Sequence, residues 1–302
     1  MLGNRTKNYL LLHLIVFIWG FTAILGALIT IDAIPLVFFR MGLAVIFIAI
    51  YFLFKKKSFY VDKRGLLKFL ITGIIIALHW IFFFKAVKVS NVSVALVTMS
   101  TGAFFTSLIE PIFFKRKIKL LEIILGLLVI AGLYIIFNFE SQYKLGIIYA
   151  LISSFLGSLF AVLNGLFIKK YNADSISLYQ LLFGTLFVTV YLFLNNSFSI
   201  SFFSLQKSDW IYLFVLSSIC TAYAFIVSVK VMKYLSPYTV MLTINLEPVY
   251  AIILALFIFG DKEKMNPEFY LGACIVLGVV LINGIIKNKS VLKKKILQKA
   301  KK

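Results

Sequence analysis

The sequence predicts an all-α integral membrane protein with ten transmembrane helices, arranged as two five-helix repeats of inverted topology. Composition is the first reason, since 62% of the 302 residues are hydrophobic, 14% are charged and the mean hydropathy is +1.02. Soluble domains are about half apolar and about a quarter charged. The second reason is that the apolar residues form continuous runs of helical length. The strands of a membrane barrel instead alternate apolar and polar residues over about ten positions.

Ten segments have the roughly 20 mostly apolar residues that a helix needs to cross a hydrocarbon core. The first follows Arg5 and Lys7, as a signal peptide would, but its apolar region is too long and we interpret it as an uncleaved helix. The predicted spans are 9–29, 35–54, 65–84, 92–114, 120–139, 144–168, 176–194, 209–229, 237–259 and 268–286. They divide the chain into a first repeat (1–140), a second repeat (141–287) and a basic tail (288–302).

Basic residues orient these spans, because loops rich in lysine and arginine stay in the cytoplasm. With the N terminus inside, six of the 31 lysines and arginines lie in outer loops, Arg40 lies within a span and the other 24 lie inside. We therefore expect a multi-pass protein of the cell membrane with both termini in the cytoplasm. Its inner loops and basic tail are expected to contact anionic lipid headgroups.

The distribution of charge also argues against nucleic acid as a partner. The formal charge of +20 is spread over short loops and the tail rather than along an aromatic-studded groove. Cys220 and Cys274 lie in apolar segments as packing residues, so neither a disulfide framework nor a metal site is indicated. We expect a small molecule as the ligand and no cofactor. A homodimer is compatible with the sequence, which does not fix the oligomeric state.

An internal repeat relates the two halves of the chain. At a constant shift of 145 positions, residues 66–88 resemble residues 211–233. The coinciding pairs include Lys85 with Lys230, Lys88 with Lys233 and Thr98 with Thr243, and at a shift of 140 Arg40 coincides with Gln180. Because each half holds five spans, an odd number, the halves must cross the membrane in opposite directions. Inverted repeats are typical of alternating-access transporters, whose substrates bind near the midplane where the halves meet.

These features resemble the drug/metabolite transporter superfamily, and more narrowly the EamA-type permeases, over nearly the whole chain. The resembling residues are paired glycines in the last helix of each half, Gly126 with Gly132 and Gly272 with Gly278, and the mid-helix Pro248. The first half departs from the proline pattern, because Ala103, preceded by Gly102, occupies the equivalent position. The resemblance implies the export of amino acids, related metabolites or drugs.

Glu247 is the strongest candidate for a functional residue inside the membrane. A charge at the centre of a span costs about 2.5–3.5 kcal/mol, so it indicates function by default. Glu247 lies near the middle of the ninth predicted span beside Pro248, which leaves the carbonyl of Ile244 without its helical donor. We expect Glu247 to bind an ammonium group or carry a coupling proton, with Asn245 lining the same opening. The alternative is a kinked helix in which a protonated Glu247 only satisfies backbone groups.

Arg40 and His79 are further ionisable candidates. Arg40 lies about 7.5 Å into the second span at about 1.5 Å per residue, where it could bind a carboxylate with two parallel hydrogen bonds. The alternative is an arginine that extends to the outer headgroups. His79, in the outer third of the third span, could relay protons, or it could be a packing histidine with satisfied hydrogen bonds.

Six further residues complete the predicted site. Small polar residues of the fourth and ninth spans match each other in the repeat, so we expect these two helices to face each other across a cavity. The six residues are Thr98 and Ser100 on the fourth span, Thr243 on the ninth, Gln180 as the repeat equivalent of Arg40, and Trp19 and Tyr223 as aromatic walls. No catalytic or metal-binding residue is predicted.

The leading function is a secondary transporter that exports a small metabolite, such as a zwitterionic amino acid, by alternating access. The alternatives are an exporter of lipophilic cations that uses Glu247 alone, and a channel or non-transporting scaffold. An enzyme is not expected, since the sequence has two histidines, no HExxH or GxSxG motif and no clustered carboxylates. These residues do not fix the substrate, the coupling ion or the direction of net transport.

Overall fold

The computed structural model describes residues 4–115, 117, 120–279, 282 and 286. Those residues form helices and turns with no strand among them, which confirms the all-helical fold class for the described part of the chain. The first half contains α1 (Asn4–Leu28), α2 (Ala33–Phe54), α3 (Lys63–Val89), α4 (Val92–Met99), α5 (Gly102–Phe113) and α6 (Leu120–Phe139). The second half contains α7 (Lys144–Phe167), α8 (Ala173–Leu194), α9 (Ile200–Phe203), α10 (Lys207–Ser217), α11 (Ala224–Val231), α12 (Pro237–Ile244), α13 (Glu247–Phe259) and α14 (Pro267–Val279).

Eight helical segments of the described chain are long and apolar enough to cross a membrane. They coincide with eight of the predicted spans: Thr6–Leu28, Ala33–Phe54, Lys63–Val89, Val92–Phe113, Ser141–Phe167, Ala173–Leu194, Lys207–Val231 and Pro237–Glu263. The other two predicted spans correspond to shorter apolar helices, Ile124–Phe139 and Pro267–Val279. The number of ten spans therefore stays a prediction. The predicted basic tail at 288–302 lies outside the described residues.

Two of the spans are broken at the same point of the repeat. Helix α12 ends at Ile244 and α13 begins at Glu247, while 145 positions earlier α4 ends at Met99 and α5 begins at Gly102. The second break is the one that the ring of Pro248 predicts, since proline has no N–H to donate to the carbonyl four residues earlier. The first break occurs without a proline.

Hydroxyl groups explain the break in the first half. Ser100 Oγ donates to the carbonyl of Leu96 at 3.1 Å, and Thr101 Oγ1 donates to the carbonyl of Thr98 at 2.8 Å. Side chains that bond to nearby backbone groups compete with the helical ladder and bend it. The next residue, Gly102, is also a poor helix former, and a Cβ there would lie 2.8 Å from Met241 Cε.

The third helix of the second half contains a widened turn. Between α10 and α11, Ser218–Tyr223 forms a π-helix, in which backbone hydrogen bonds reach five residues back instead of four. The side chain of Thr221 supports this turn by donating to the carbonyl of Leu216 at 2.6 Å. The carbonyl of Cys220 instead accepts a hydrogen bond at 3.0 Å from Trp19 Nε1 on α1. Such turns occur often at functional sites because they re-aim side chains.

The two halves are packed into one another. Helix α4 packs against α13, α5 packs against α12, and α3 lies between α7 and α8. The contact between α3 and α8 is close because glycines meet there: a Cβ on Gly73 would lie 2.6 Å from the carbonyl oxygen of Gln180 and 3.0 Å from the backbone nitrogen of Gly184. The two broken helices therefore lie side by side at the centre of the bundle.

Polar contacts join the halves at both ends of the bundle. At one end, the buried Glu263 accepts hydrogen bonds of 2.9 Å from the backbone nitrogens of Val92 and Ser93, which begin α4. A carboxylate at a helix N-terminus stabilises the free N–H groups there. At the opposite end, Lys170 pairs with Asp62 at 3.0 Å. Lys57 also pairs with Asp174 there.

Candidate functional site

A cavity of about 130 Å³ lies at the centre of the bundle, where residues of both halves meet. The walls are mainly apolar, with a small number of polar groups. The polar and indole groups that line it are Trp19, Thr22, Arg40, His79, Trp80, Ser100, Ser228, Asn245 and Glu247.

Arg40 is held by groups from both halves of the chain. Its side chain is 1% exposed, and Nε donates a hydrogen bond of 2.7 Å to Thr221 Oγ1 in the π-helix. The guanidinium carbon lies 3.9 Å from the centroid of the Trp80 ring and 5.4 Å from that of Phe84, in cation–π contact. Arg40 is thus enclosed between helices, and the expectation that it could extend to the headgroups is wrong.

The guanidinium of Arg40 keeps an unused hydrogen-bond donor. One terminal nitrogen, Nη1, is buried and has no hydrogen-bond partner in the structure. A guanidinium cannot release its charge and has five N–H donors in a planar fork that matches a carboxylate. A buried cation without its full set of partners is costly, and an anion in the cavity would supply the missing hydrogen-bond acceptor.

Glu247 lines the same cavity from the start of α13. In the part of the chain that the structure describes, its carboxylate forms no direct ion pair. The carboxylate lies at the N-terminal end of α13, where the helix dipole favours negative charge. The cavity therefore contains one fixed cation and one carboxylate that are not paired directly.

The break between α12 and α13 adds polar groups to this cavity. Asn245 is 3% exposed and lines the cavity, and its Nδ2 group has no hydrogen-bond partner among the described residues. Pro248 lines the cavity as well. Ser100, which lies at the break between α4 and α5, also lines the cavity. Both breaks thus border the cavity, as expected for sites built from discontinuous helices.

His79 has one ring nitrogen engaged with α7. Its Nδ1 lies 2.8 Å from the carbonyl oxygen of Ser153 and 2.9 Å from Ser153 Oγ, which itself donates to the His79 carbonyl at 2.8 Å. Because a carbonyl only accepts, we assign the tautomer with a proton on Nδ1, which leaves Nε2 as an acceptor. His79 lines the cavity, but its contacts with Ser153 fit a structural role as well as a proton relay.

Aromatic side chains form much of the apolar wall. Trp80 and Phe225 contact each other with ring centroids 5.8 Å apart, and Phe225 contacts Phe160 at 5.4 Å. Trp19, whose indole N–H is bonded to the π-helix, lies on the same wall. A ligand in this cavity would contact apolar surface on most sides and charged groups at two points.

Seven of the eleven predicted site residues line this cavity: Trp19, Arg40, His79, Ser100, Asn245, Glu247 and Pro248. The other four do not. Thr98 and Thr243 are buried in the broken helices, and the Thr243 hydroxyl donates to the carbonyl of Thr239. Tyr223, the last residue of the π-helix, is 44% exposed and does not line the cavity. Whether any of the eleven binds substrate stays a prediction.

Gln180 is buried in a separate polar group at the contact of α3, α7 and α8. Its Nε2 donates to Thr72 Oγ1 at 2.8 Å and to Asn164 Oδ1 at 2.7 Å. This arrangement mirrors the contact of Arg40 with Thr221, since each half contributes a donor on its second helix to a threonine on the third helix of the other half. Gln180 lines neither of the two described cavities.

Sequence reasoning did not identify several important residues. Thr221 was missed because a threonine in an apolar helix is usually a packing residue and a π-helix has no simple sequence pattern. Trp80 and Phe225 could have been found, because they coincide at the repeat shift of 145 positions and both line the cavity. Within the described residues, no group of three or more His, Cys, Asp or Glu side chains is placed to hold a metal ion.

The eight long apolar helices define a multi-pass helical membrane protein, and comparison with known proteins gives the family. The EamA-like transporter family matches the chain twice, over residues 6–138 and 144–284. The chain belongs to this family of membrane transporters, which confirms the resemblance inferred from the sequence. Comparison with curated proteins found no match.

The fold also matches solved structures, 27 chains of which are similar to this one. In one crystal structure the similarity has a TM-score of 0.70 and covers 94% of this chain and 99% of the other, with 14% sequence identity. At this identity the comparison shows a shared fold and nothing about the substrate.

Proposed function

We propose that this chain is a secondary transporter that carries a small zwitterion with an apolar side chain, such as an amino acid, through the central cavity. The observation that supports this most is that Arg40 and Glu247 line one cavity without a direct ion pair. Opposite charges held apart in an apolar enclosure match a ligand that carries both charges. The apolar wall matches the side chain.

Arg40 would bind the carboxylate of the zwitterion. Its unpartnered Nη1 offers a donor, while the bond to Thr221 and the contact with Trp80 fix the plane of the guanidinium. Because the fork is already oriented, little side-chain entropy would be lost when the carboxylate binds.

Glu247 would bind the ammonium group, with help from the broken helix. The last turn of α12 ends at Ile244, and its terminal carbonyls favour positive charge. Asn245 could rotate its amide oxygen toward the same group. An ammonium group at this point would therefore be compensated by one carboxylate and several backbone or amide oxygens.

Alternating access would expose this cavity to each side of the membrane in turn. The two broken helices lie side by side and come from opposite halves, which is the arrangement in which one half can move against the other around a fixed site. On the same proposal the chain lies in the cell membrane with both termini in the cytoplasm, exports its substrate and catalyses no reaction.

A lipophilic cation is less compatible with this cavity than a zwitterion. Glu247 and the aromatic walls would suit a cation, but the fixed charge of Arg40 lies in the same enclosure and would repel it. A cation exporter would need Arg40 to be neutralised by another anion.

Counterflow in proteoliposomes tests this function. Vesicles that contain the purified chain are loaded with unlabelled L-leucine, and entry of labelled L-leucine from outside is followed. We expect saturable exchange that is lost in Glu247→Gln and retained in the control Asp261→Asn, whose carboxylate is exposed and lies outside the cavity. Exchange that is unchanged in Glu247→Gln would contradict the proposed role of the carboxylate. Linear, non-saturating uptake would indicate a channel.

A further inference from the structure

A second cavity, which we call the α3 vestibule, lies at the end of the bundle where α3 ends. It is larger and more open than the central cavity, at about 560 Å³, and it is lined by residues of both halves. The lining residues used below are Asp32, Lys85, Lys88, Tyr149, Tyr191 and Asn195. None of them belongs to the predicted central site.

Helix α3 lines both the central cavity and the α3 vestibule. His79 and Phe83 of α3 line the central cavity, and Lys85 of the same helix lines the vestibule. From His79 to Lys85 the distance along the helix is six residues, or about 9 Å. The two cavities are therefore less than two helical turns apart along α3.

The two lysines of the vestibule differ in how their charge is compensated. Lys88 donates a hydrogen bond of 2.9 Å to the carbonyl of Ile29, and the carboxylates of Asp32 and Asp209 act on its charge. Lys85 lies 5.8 Å from the centroid of the Tyr149 ring, and among the described residues no carboxylate is paired with it. Two lysines three residues apart on a helix repel each other, so an anion between them would relieve that repulsion.

The rest of the vestibule matches an amphipathic anion rather than an inorganic one. Tyr149 and Tyr191 provide ring surface with a polar tip, and Asn195 adds an amide. Phe202 of α9 and Leu192 of α8 extend the apolar wall. A carboxylate at Lys85 with an apolar group against these rings would use the cationic and aromatic parts of the lining, while Asp32 compensates the charge of Lys88.

The repeat places the same residue types at the opposite end of the bundle. Lys85 and Lys88 coincide with Lys230 and Lys233 at a shift of 145, and the two tyrosines coincide with other tyrosines at a shift of 140: Tyr149 with Tyr9 and Tyr191 with Tyr51. A carrier with inverted repeats exposes equivalent surfaces at each end in turn. The recurrence favours a role on the solute path over a role that only one face would need.

We propose that the α3 vestibule is a second binding site for the transported solute, in which Lys85 binds the carboxylate and the tyrosine rings contact the apolar group. This inference rests on the proposed function, since it takes the same class of solute. It adds a site of lower affinity on the path to the central cavity. The other source of the same anionic chemistry is the phosphate of a lipid headgroup.

Binding stoichiometry tests the vestibule. Labelled L-leucine is titrated against the purified full-length chain in phosphatidylcholine nanodiscs. We expect two equivalents per chain in the wild type, one in Lys85→Gln, and two in Lys85→Arg, which keeps the charge. Lys207→Gln is the matched control, because Lys207 is an exposed lysine that lines neither cavity, and it should also bind two equivalents.

The outcomes separate the two proposals. Suppose that the wild type binds one equivalent, and that Arg40→Gln removes it while Lys85→Gln does not. This result would overturn the vestibule as a binding site and leave the proposed function intact. One equivalent that Lys85→Gln removes and Arg40→Gln does not would support the vestibule and contradict the central site. In a third outcome the wild type retains phosphatidylglycerol, Lys85→Gln abolishes this retention, and no second equivalent of leucine binds. This result would assign the vestibule to lipid and overturn its role in binding the solute.

Discussion

The guanidinium of Arg40 and the hydroxyl of Thr221 are 181 positions apart in the chain and 2.7 Å apart in the structure. This hydrogen bond joins the second helix of one half to the π-helix of the other, and it orients a guanidinium group that lines the central cavity. Since Thr221 Oγ1 also donates to the carbonyl of Leu216, the geometry of the π-helix is transmitted to Arg40. The site therefore depends on how the two halves pack.

Replacing Thr221 tests this connection. Thr221→Val keeps the shape of the side chain but removes the acceptor for Arg40 Nε, and a hydrogen bond to a charged group is worth about 1.5–3 kcal/mol. We expect the Kd for L-leucine to rise about ten- to a hundredfold. Thr221→Ser keeps the hydroxyl and should stay within about threefold of the wild type. An unchanged Kd in Thr221→Val, measured on folded protein by titration, would show that Arg40 is oriented without this bond.

The contact of α3 with α8 gives a stability prediction. A Cβ on Gly73 would meet backbone atoms of Gln180 and Gly184, which cannot move aside as a side-chain end can. Overpacking of this kind costs about 1–3 kcal/mol, so Gly73→Ala should lower the midpoint of thermal unfolding. Gly278→Ala is the control, because no atom of the described residues lies within 4 Å of a Cβ there. In a helix that change is neutral or stabilising by up to about 1 kcal/mol. Equal effects of the two substitutions would argue against close helix packing at Gly73.

The ion pair of Asp62 with Lys170 predicts a dependence on pH and salt. The hydrogen bond from Lys170 lowers the pKa of Asp62, and the same bond raises the pKa of Lys170. The stabilisation is therefore present at neutral pH. It is lost as the pH falls through the lowered pKa of Asp62, and also as the pH rises through the raised pKa of Lys170.

A double-mutant cycle with Asp62→Asn and Lys170→Gln measures this pair. Asparagine can keep the cap to the backbone nitrogen of Gly65, so the cycle isolates the charge interaction. Both groups are exposed, and we expect a small coupling in thermal unfolding at low salt that disappears at 1 M salt, where the screening length is about 3 Å. A coupling that persists at 1 M salt would mean that the pair is shielded from solvent.

Much of the fold could be predicted from the sequence because membrane insertion imposes simple rules. Long apolar runs determine the helices, and the break at Asn245 follows from the missing N–H of Pro248. The break at Ser100 could not be predicted in the same way, since it depends on hydroxyl groups that compete with the helical ladder. The position of this break corresponds to that of the second break at the repeat shift of 145 positions, whereas the local sequence does not indicate it.

Charged residues that line the cavity could be identified from the sequence. Residues whose position depends on helix packing could not. Arg40 and Glu247 are conspicuous because a charge within a span is costly, but only the structure shows that both line one cavity. Tyr223 was predicted as a wall because it is aromatic, yet its side chain is 44% exposed and does not line the cavity. Gln180 follows the repeat as expected, but its contacts with Thr72 and Asn164 place it in a closed interface.

Competition by half-substrates is the most direct test of the central claim that Arg40 and Glu247 bind opposite ends of one solute. Counterflow of labelled L-leucine is measured against 4-methylpentanoate, which lacks the ammonium group, and 3-methylbutylamine, which lacks the carboxylate. We predict that neither competes well in the wild type, that binding in Arg40→Gln shifts toward the amine, and that binding in Glu247→Gln shifts toward the acid. Identical competition profiles in the wild type and both variants would contradict the account.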